Sequence, residues 1–145
     1  MNLRDPHFER RRYRRWGAYF QSKLANLLFT AELSRRLEGA KSSVTAVAAH
    51  PGSAATELGK VGTSASNAVL RKAFGAVLRG PDTGAESQVR AATDPSLAPG
   101  AFVGPRWGIA GTPRLETPSR RARNIGDAIA LWEYSETATG VTFPV

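Results

Sequence analysis

The sequence predicts an α/β protein, and three observations carry that prediction. Residues 18–38 place apolar side chains at helical spacing, and a short apolar, partly β-branched run over 44–49 follows at once. That run stops sharply at His50-Pro51-Gly52. A second short run, Ala101-Phe102-Val103, comes after two further helical stretches. Helix–strand–helix–helix–strand–helix is the order of an α/β layer whose strands run parallel. Two parallel strands leave open edges and cannot cover their helices, so the element set reads as part of a larger sheet.

The elements are justified in turn. Residues 1–16 read as an extended basic arm with a turn at Asp5-Pro6. In the helix over 18–38, Leu24, Leu27, Leu28, Leu33 and Leu37 form the apolar stripe. Arg35 and Arg36 suit the negative end of its dipole, and Gly39 is the expected C-cap. The apolar run over 44–49 reads as a buried parallel strand, joined to the helix by Lys41-Ser42-Ser43. A weaker helical pattern covers 64–79. Asp82 or Thr83 caps another helix running to about Ala92. Residues 104–123 are rich in Pro, Gly and Arg and read as loop. A last helix over 123–137 sets Ile125, Ile129 and Trp132 on one face.

Composition narrows the function classes. With 41% hydrophobic and 22% charged residues, the 145-residue chain belongs with globular rather than disordered sequences. It has no cysteine, which removes disulfides, thiolate metal sites and cysteine nucleophiles together. His7 and His50 are far apart, so no metal site is expected. No apolar run approaches the roughly 20 residues that span lipid, and no apolar stretch follows the arginine-rich start. No membrane span and a cytoplasmic location are therefore expected. The net charge of +8 sits in two irregular segments. Six arginines against Asp5 and Glu9 give +4 over residues 1–15, and five against Glu116 give +4 over 106–123. Neither lies on a helical face or carries interleaved stacking aromatics, so nucleic acid is not an expected partner.

Tyr19 and Lys23 stand four apart near the start of the first helix and share a face. A free tyrosine titrates near pH 10 and is a poor base at neutrality. A neighbouring ammonium and the positive end of a helix dipole favour the phenolate. Lowering a phenol's pKa from near 10 to near 7 takes about 4 kcal/mol of differential stabilisation. One charge a few ångströms away in a partly dry site supplies energy of that order. The pair thus makes sense as a proton-transfer device working on a carbonyl or alcohol oxygen. A Tyr-x-x-x-Lys spacing alone is weak, since both residues are common on exposed helix faces.

The longer string is specific. Trp16-Gly17-Ala18-Tyr19-Phe20-Gln21-Ser22-Lys23-Leu24-Ala25-Asn26-Leu27-Leu28-Phe29 closely resembles the active-site helix of the short-chain dehydrogenase/reductase family. The nearest branch holds its retinol-dehydrogenase-like and protochlorophyllide-reductase-like members. His50-Pro51-Gly52 with Thr56 resembles the loop that meets the cofactor, Phe102-Val103-Gly104-Pro105 the late strand, and Leu131-Trp132-Glu133-Tyr134-Ser135 the closing helix. The resemblance runs along nearly the whole chain in the family's order. It implies the carboxy-terminal half of a Rossmann-type doubly wound parallel sheet, without the first nucleotide-binding βαβ units. The chain is then a single partial domain: basic arm 1–16; active-site helix, strand and cofactor loop 17–60; substrate-side helices, late strand and closing helix 61–145.

The resemblance implies an NAD(P)-dependent oxidoreductase that moves hydride between nicotinamide and a carbonyl or alcohol substrate, with NADP preferred over NAD. Tyr19 would be the general acid/base. Lys23 would hydrogen-bond the nicotinamide ribose and favour ionised Tyr19. Pro51 and Gly52 would shape the loop beside the nicotinamide, and Ser53 and Thr56 would contact its carboxamide or the diphosphate. His50 reads first as a strand-end residue that caps or packs. The family's Thr-Gly-x-x-x-Gly-x-Gly turn, its Asn-Ala-Gly strand end and its catalytic serine have no counterpart here; Ser22 lies inside the helix motif and is not that serine. Phe20 is bulkier than the family's small residue and is expected to narrow the pocket or re-aim Tyr19. The chain is accordingly expected to be inactive alone. The alternative is a non-catalytic fragment, pairing through the active-site helix with a full-length homologue or persisting as a gene remnant; the resemblance also implies a homo-oligomer joined through that helix.

Overall fold

A computed structural model describes residues 1–52 and 81–144. Its elements are α1 (Arg15–Gly39), β1 (Ala48–Ala49), α2 (Pro81–Thr93), β2 (Phe102–Pro105), β3 (Pro113–Leu115) and α3 (Ile125–Thr139). The strands form one sheet in the order β1-β2-β3. The chain divides into two compact units, Met1–Ala48 with Ala98–Ala101 and Thr117–Val145, and Ala49–Leu97 with Phe102–Glu116. The helix expected over 64–79 lies outside the described residues.

In the first unit α1 packs on α3. Leu28, Ala128 and Leu131 are buried between them, with Met1, Leu3, Leu24 and Ala25 packed against that core. Phe29 stacks on Trp132 at 5.3 Å and 10°. The α1 stripe therefore does what its spacing predicts at Leu28 and Leu37. The buried face of α3 differs from the expected one. Ala128, Leu131 and Trp132 are inside, whereas Ile125, the first residue of the helix, is 66% exposed. Asn124 caps α3, accepting from the Asp127 N–H at 2.9 Å.

The end of α1 also departs from expectation. The helix runs through Gly39, and the left-handed residue is Lys41, at φ +53°. Ser42 N–H donates to the Leu37 carbonyl at 2.9 Å and Lys41 N–H to that of Glu38 at 3.0 Å. This is the double bond pattern of a Schellman stop, with lysine where glycine is usual. The Ser42 hydroxyl then accepts from the Val44 N–H. That turn keeps Val44 exposed and delays the strand, which begins pairing only at Ala46, through Gly100 N–H at 2.9 Å. The strand expected over 44–49 is thereby cut to Ala48–Ala49.

The arm does not extend freely. The Asp5 carboxylate is buried and accepts the N–H groups of Glu9, Arg10 and Arg11 at 2.8, 3.3 and 3.0 Å. Burial pushes the Asp5 carboxyl up, but these three bonds and the Arg11 guanidinium outweigh it and hold it below its ordinary value. Gln21 on α1 donates to the Pro6 carbonyl at 3.0 Å and accepts from Arg11. The Met1 ammonium pairs with Asp127. The start of the chain is thus tied to α1 and α3, while Arg10, Arg12, Arg14 and Arg15 stay exposed.

In the second unit α2 packs on β2 and β3. Pro81 opens α2, where its missing N–H costs nothing. Ser87 and Val103 are buried. Arg90 reaches from α2 to the Pro113 carbonyl at 2.6 Å and to Asp94 at 3.1 Å. Bonds from Ser96 and then Arg90 hold Asp94 below its ordinary carboxyl value. The sheet corrects the all-parallel expectation. Ala48 N–H donates to Ala101, and His50 N–H to Val103, advancing in one direction, so β1 and β2 run parallel. β3 is antiparallel to β2, pairing Val103 with Leu115 and Pro105 with Pro113. It lies inside the segment expected to be loop. A proline at the end of an edge strand needs no N–H in the ladder, so its presence did not forbid pairing.

Candidate active site on the first helix and the strand-end loop

The two parts of the candidate site lie in different units. Tyr19 is half-buried on the second turn of α1, and Lys23 lies one turn on, exposed. The Lys23 ammonium stands over the Tyr19 ring, 5.5 Å from its centroid. Trp16 and Phe20 meet the same ring edge-on, at 6.0 and 5.6 Å. Phe20 is 64% exposed and packs beside Tyr19 rather than under it. Ser22 donates its hydroxyl to the Tyr19 carbonyl at 2.8 Å and is thereby spent on the helix backbone. Among the described residues Lys23 has no carboxylate partner, which leaves its N–H groups free to donate.

Pro51 and Gly52 follow β1 in the second unit, both half-buried. Gly52 has φ +68°, and a Cβ on it would stand 2.6 Å from Pro105 Cγ and 2.7 Å from the Ile109 carbonyl oxygen. Only glycine fits there. Ser53 and Thr56 lie outside the described residues. Among the described residues no group of His, Cys, Asp and Glu could hold a metal ion, and no helix is long and apolar enough to cross a membrane.

Two polar clusters escaped the sequence reading. Glu32 is buried on α1 and accepts from Arg35 at 2.8 and 2.6 Å and from Arg36 at 2.8 Å. The Arg35 bonds, then burial opposing them, then Arg36 leave its carboxyl below the ordinary value. The signal was present in the three- and four-residue spacings. A shallow cleft beside it, lined by Ala31, Arg35, Asn124 and Ile125 among others, contains none of the expected site residues. The second cluster joins His50 to Glu116 at 3.1 Å, 66 residues away, and no local pattern announces it.

The fold and site together define an α/β protein carrying a Tyr-Lys pair on one helix and a glycine turn beyond a parallel strand. No family model matches the chain. It is 42% identical to human retinol dehydrogenase 13 over 146 residues, covering 97% of the chain and 41% of that protein. It is 35% identical to human retinol dehydrogenase 12 over 90% of the chain and 39% of that protein. A solved structure of an uncharacterised protein from Mycobacterium paratuberculosis superposes with a TM-score of 0.79 at 44% identity, covering 99% of the chain and 46% of its own. The chain belongs to the short-chain dehydrogenase/reductase family, in its retinol-dehydrogenase-like branch. It spans about two fifths of the length of the curated relatives it matches.

Proposed function

We propose that the chain is the carboxy-terminal, proton-transferring part of an NAD(P)-dependent oxidoreductase acting on a small carbonyl or alcohol. The observation that carries this reading is the Lys23 ammonium over the Tyr19 ring on one helical turn, in a chain 42% identical to a dehydrogenase over 97% of its length. The residues present suit the nicotinamide end of the cofactor. Among the described residues Lys23 has donors free for ribose hydroxyls, and Gly52, closed against Pro105 and Ile109, fixes the turn that follows β1. When bound, the nicotinamide supplies or accepts the hydride. NADP is preferred over NAD on the habit of the branch.

In this reading Tyr19 gives its hydroxyl proton to the carbonyl oxygen during reduction and takes it back during oxidation. The Lys23 charge stabilises the phenolate left behind. Trp16 and Phe20 pack edge-on against the Tyr19 ring and help to hold its orientation. Pro51 and Gly52 shape the loop beside the nicotinamide, Ser53 and Thr56 are assigned to the cofactor on the resemblance alone, and the chain acts in the cytoplasm.

The test is a chimera in which residues 1–145 replace the matching segment of human retinol dehydrogenase 13. We expect turnover with a nicotinamide cofactor and an aldehyde substrate, and a loss of at least about 100-fold on Tyr19→Phe, the scale of general acid–base catalysis. A Tyr19→Phe chimera that kept its kcat would remove Tyr19 from the chemistry. A second reading, non-catalytic pairing through α1 with a longer relative, draws on Trp16, Phe20 and Phe29, all exposed on that helix. Under it, the chain co-purifies with the relative whether or not Tyr19 is replaced.

A further inference from the structure

Four contacts converge on the His50 ring. Its Nε2 lies 3.1 Å from Glu116 Oε2. Its Nδ1 lies 3.2 Å from the backbone nitrogen of Gly52. Its face stacks on Phe102 at 5.1 Å and 29°. Beneath it sits Gly104, where a Cβ would stand 2.0 Å from Nε2 and 2.9 Å from the Glu116 carboxyl carbon. Any residue but glycine at 104 would push the imidazole off its carboxylate.

The chemistry of these atoms fixes the tautomer. A backbone N–H can only donate, so Nδ1 must offer its lone pair to Gly52. The ring proton is then on Nε2 and is given to Glu116. A carboxylate behind an imidazole is the arrangement that elsewhere readies the far ring nitrogen as a base, but here that nitrogen is occupied by the chain's own amide. His50 is therefore not free to carry a proton in the reaction while this bond stands. What the bond does is hold the Pro51–Gly52 peptide. Because that peptide is planar and trans, turning its N–H toward the ring turns the Pro51 carbonyl to the opposite side.

We propose that His50 is a positioning residue, clamped by Glu116 and seated over Gly104, that sets the Pro51–Gly52 peptide plane and so the loop that receives the nicotinamide. The link to nicotinamide rests on the proposed function; the clamp itself does not. The histidine is thus neither a mere end-cap of β1 nor an acid/base, and its partner Glu116 enters the site from the residue after β3.

Nuclear magnetic resonance on the 145-residue protein tests both layers. Imidazole nitrogen shifts should report the Nε2–H tautomer for His50. His50→Phe keeps the stack but no bond, and should speed exchange of the Gly52 amide at least tenfold. His50→Asn returns an acceptor at the Nδ1 position and should restore most of the protection. Glu116→Gln, which still accepts, should keep the tautomer, and Glu116→Leu should lose it. An Nδ1–H tautomer, or Gly52 exchange unchanged in His50→Phe, would overturn the proposal. Saturation transfer from protein to millimolar NADP+ is the second layer. Transfer to the nicotinamide ring in the parent that drops in His50→Phe and returns in His50→Asn supports positioning, and transfer equal in all three overturns it. No transfer in the parent, with the tautomer as stated, sinks the cofactor reading and the loop's role toward it, leaving only the clamp.

Discussion

At residue 41 the chain accepts a conformation that lysine resists. The left-handed conformer costs a side chain roughly 1–2 kcal/mol, and Lys41 adopts it so that two carbonyls at the end of α1 can be satisfied. Lys41→Gly should gain about 0.5–1 kcal/mol after glycine's greater entropy loss on folding, read as a rise in Tm of a few degrees. No change, or a loss, would mean that the lysine side chain contributes something beyond the turn. Sequence reasoning placed the stop at Gly39, the only glycine near the end of the pattern. It erred because two backbone bonds to Ser42 and Lys41, not the glycine, end the helix. The contact between Tyr19 and Lys23 was legible because residues four apart share a helical face. Glu116 was not, since it meets His50 only when β2 and β3 pair.

Among the elements, α1 carries the most information and, among the described residues, the one buried carboxylate within a helix. Glu32 faces inward while Arg35 and Arg36 reach back to it. Its carboxyl is held below the ordinary value of 4.5. The stabilisation is therefore complete above pH 4.5 and is lost as the pH falls through the lowered folded value. Glu32→Gln should cost about 1–3 kcal/mol at pH 7, the range for losing a charged bonding partner. The difference from the parent should shrink as the pH is lowered toward 3. Urea midpoints at the two pH values check it; a penalty independent of pH would assign the loss to packing. The described helices were readable from the sequence, α1 and α3 from apolar period and α2 from its start signals. The strands were less so: β1 and β3 are two and three residues long, below the length over which alternation can speak.

For the whole molecule, the sheet is the telling feature. Among the described residues it has three strands, with β1 at one edge and β3 at the other. Trp16, Phe20, Phe29 and Val44 are large apolar side chains left exposed. The sequence predicted two parallel strands; what it missed was the antiparallel β3. On the proposed function, the polypeptide of 145 residues holds the nicotinamide end of a cofactor and no Gly-rich phosphate turn. Calorimetric titration with NADPH should give a Kd weaker than about 10 μM, less than about 7 kcal/mol of binding free energy. Tighter binding would require phosphate contacts from residues to which the proposed function gives no such part.

The packing of Trp132 has an optical consequence. Its indole is 4% exposed, stacked on Phe29, capped by the Arg36 guanidinium at 4.5 Å and met edge-on by Phe143. Trp16 and Trp107, the other two tryptophans, are 50% and 71% exposed. The chain's emission thus divides into two open fluorophores and one closed, and the closed one sits on the seam of α1 and α3. A quencher confined to water silences the first two and leaves a signal that belongs to that seam alone.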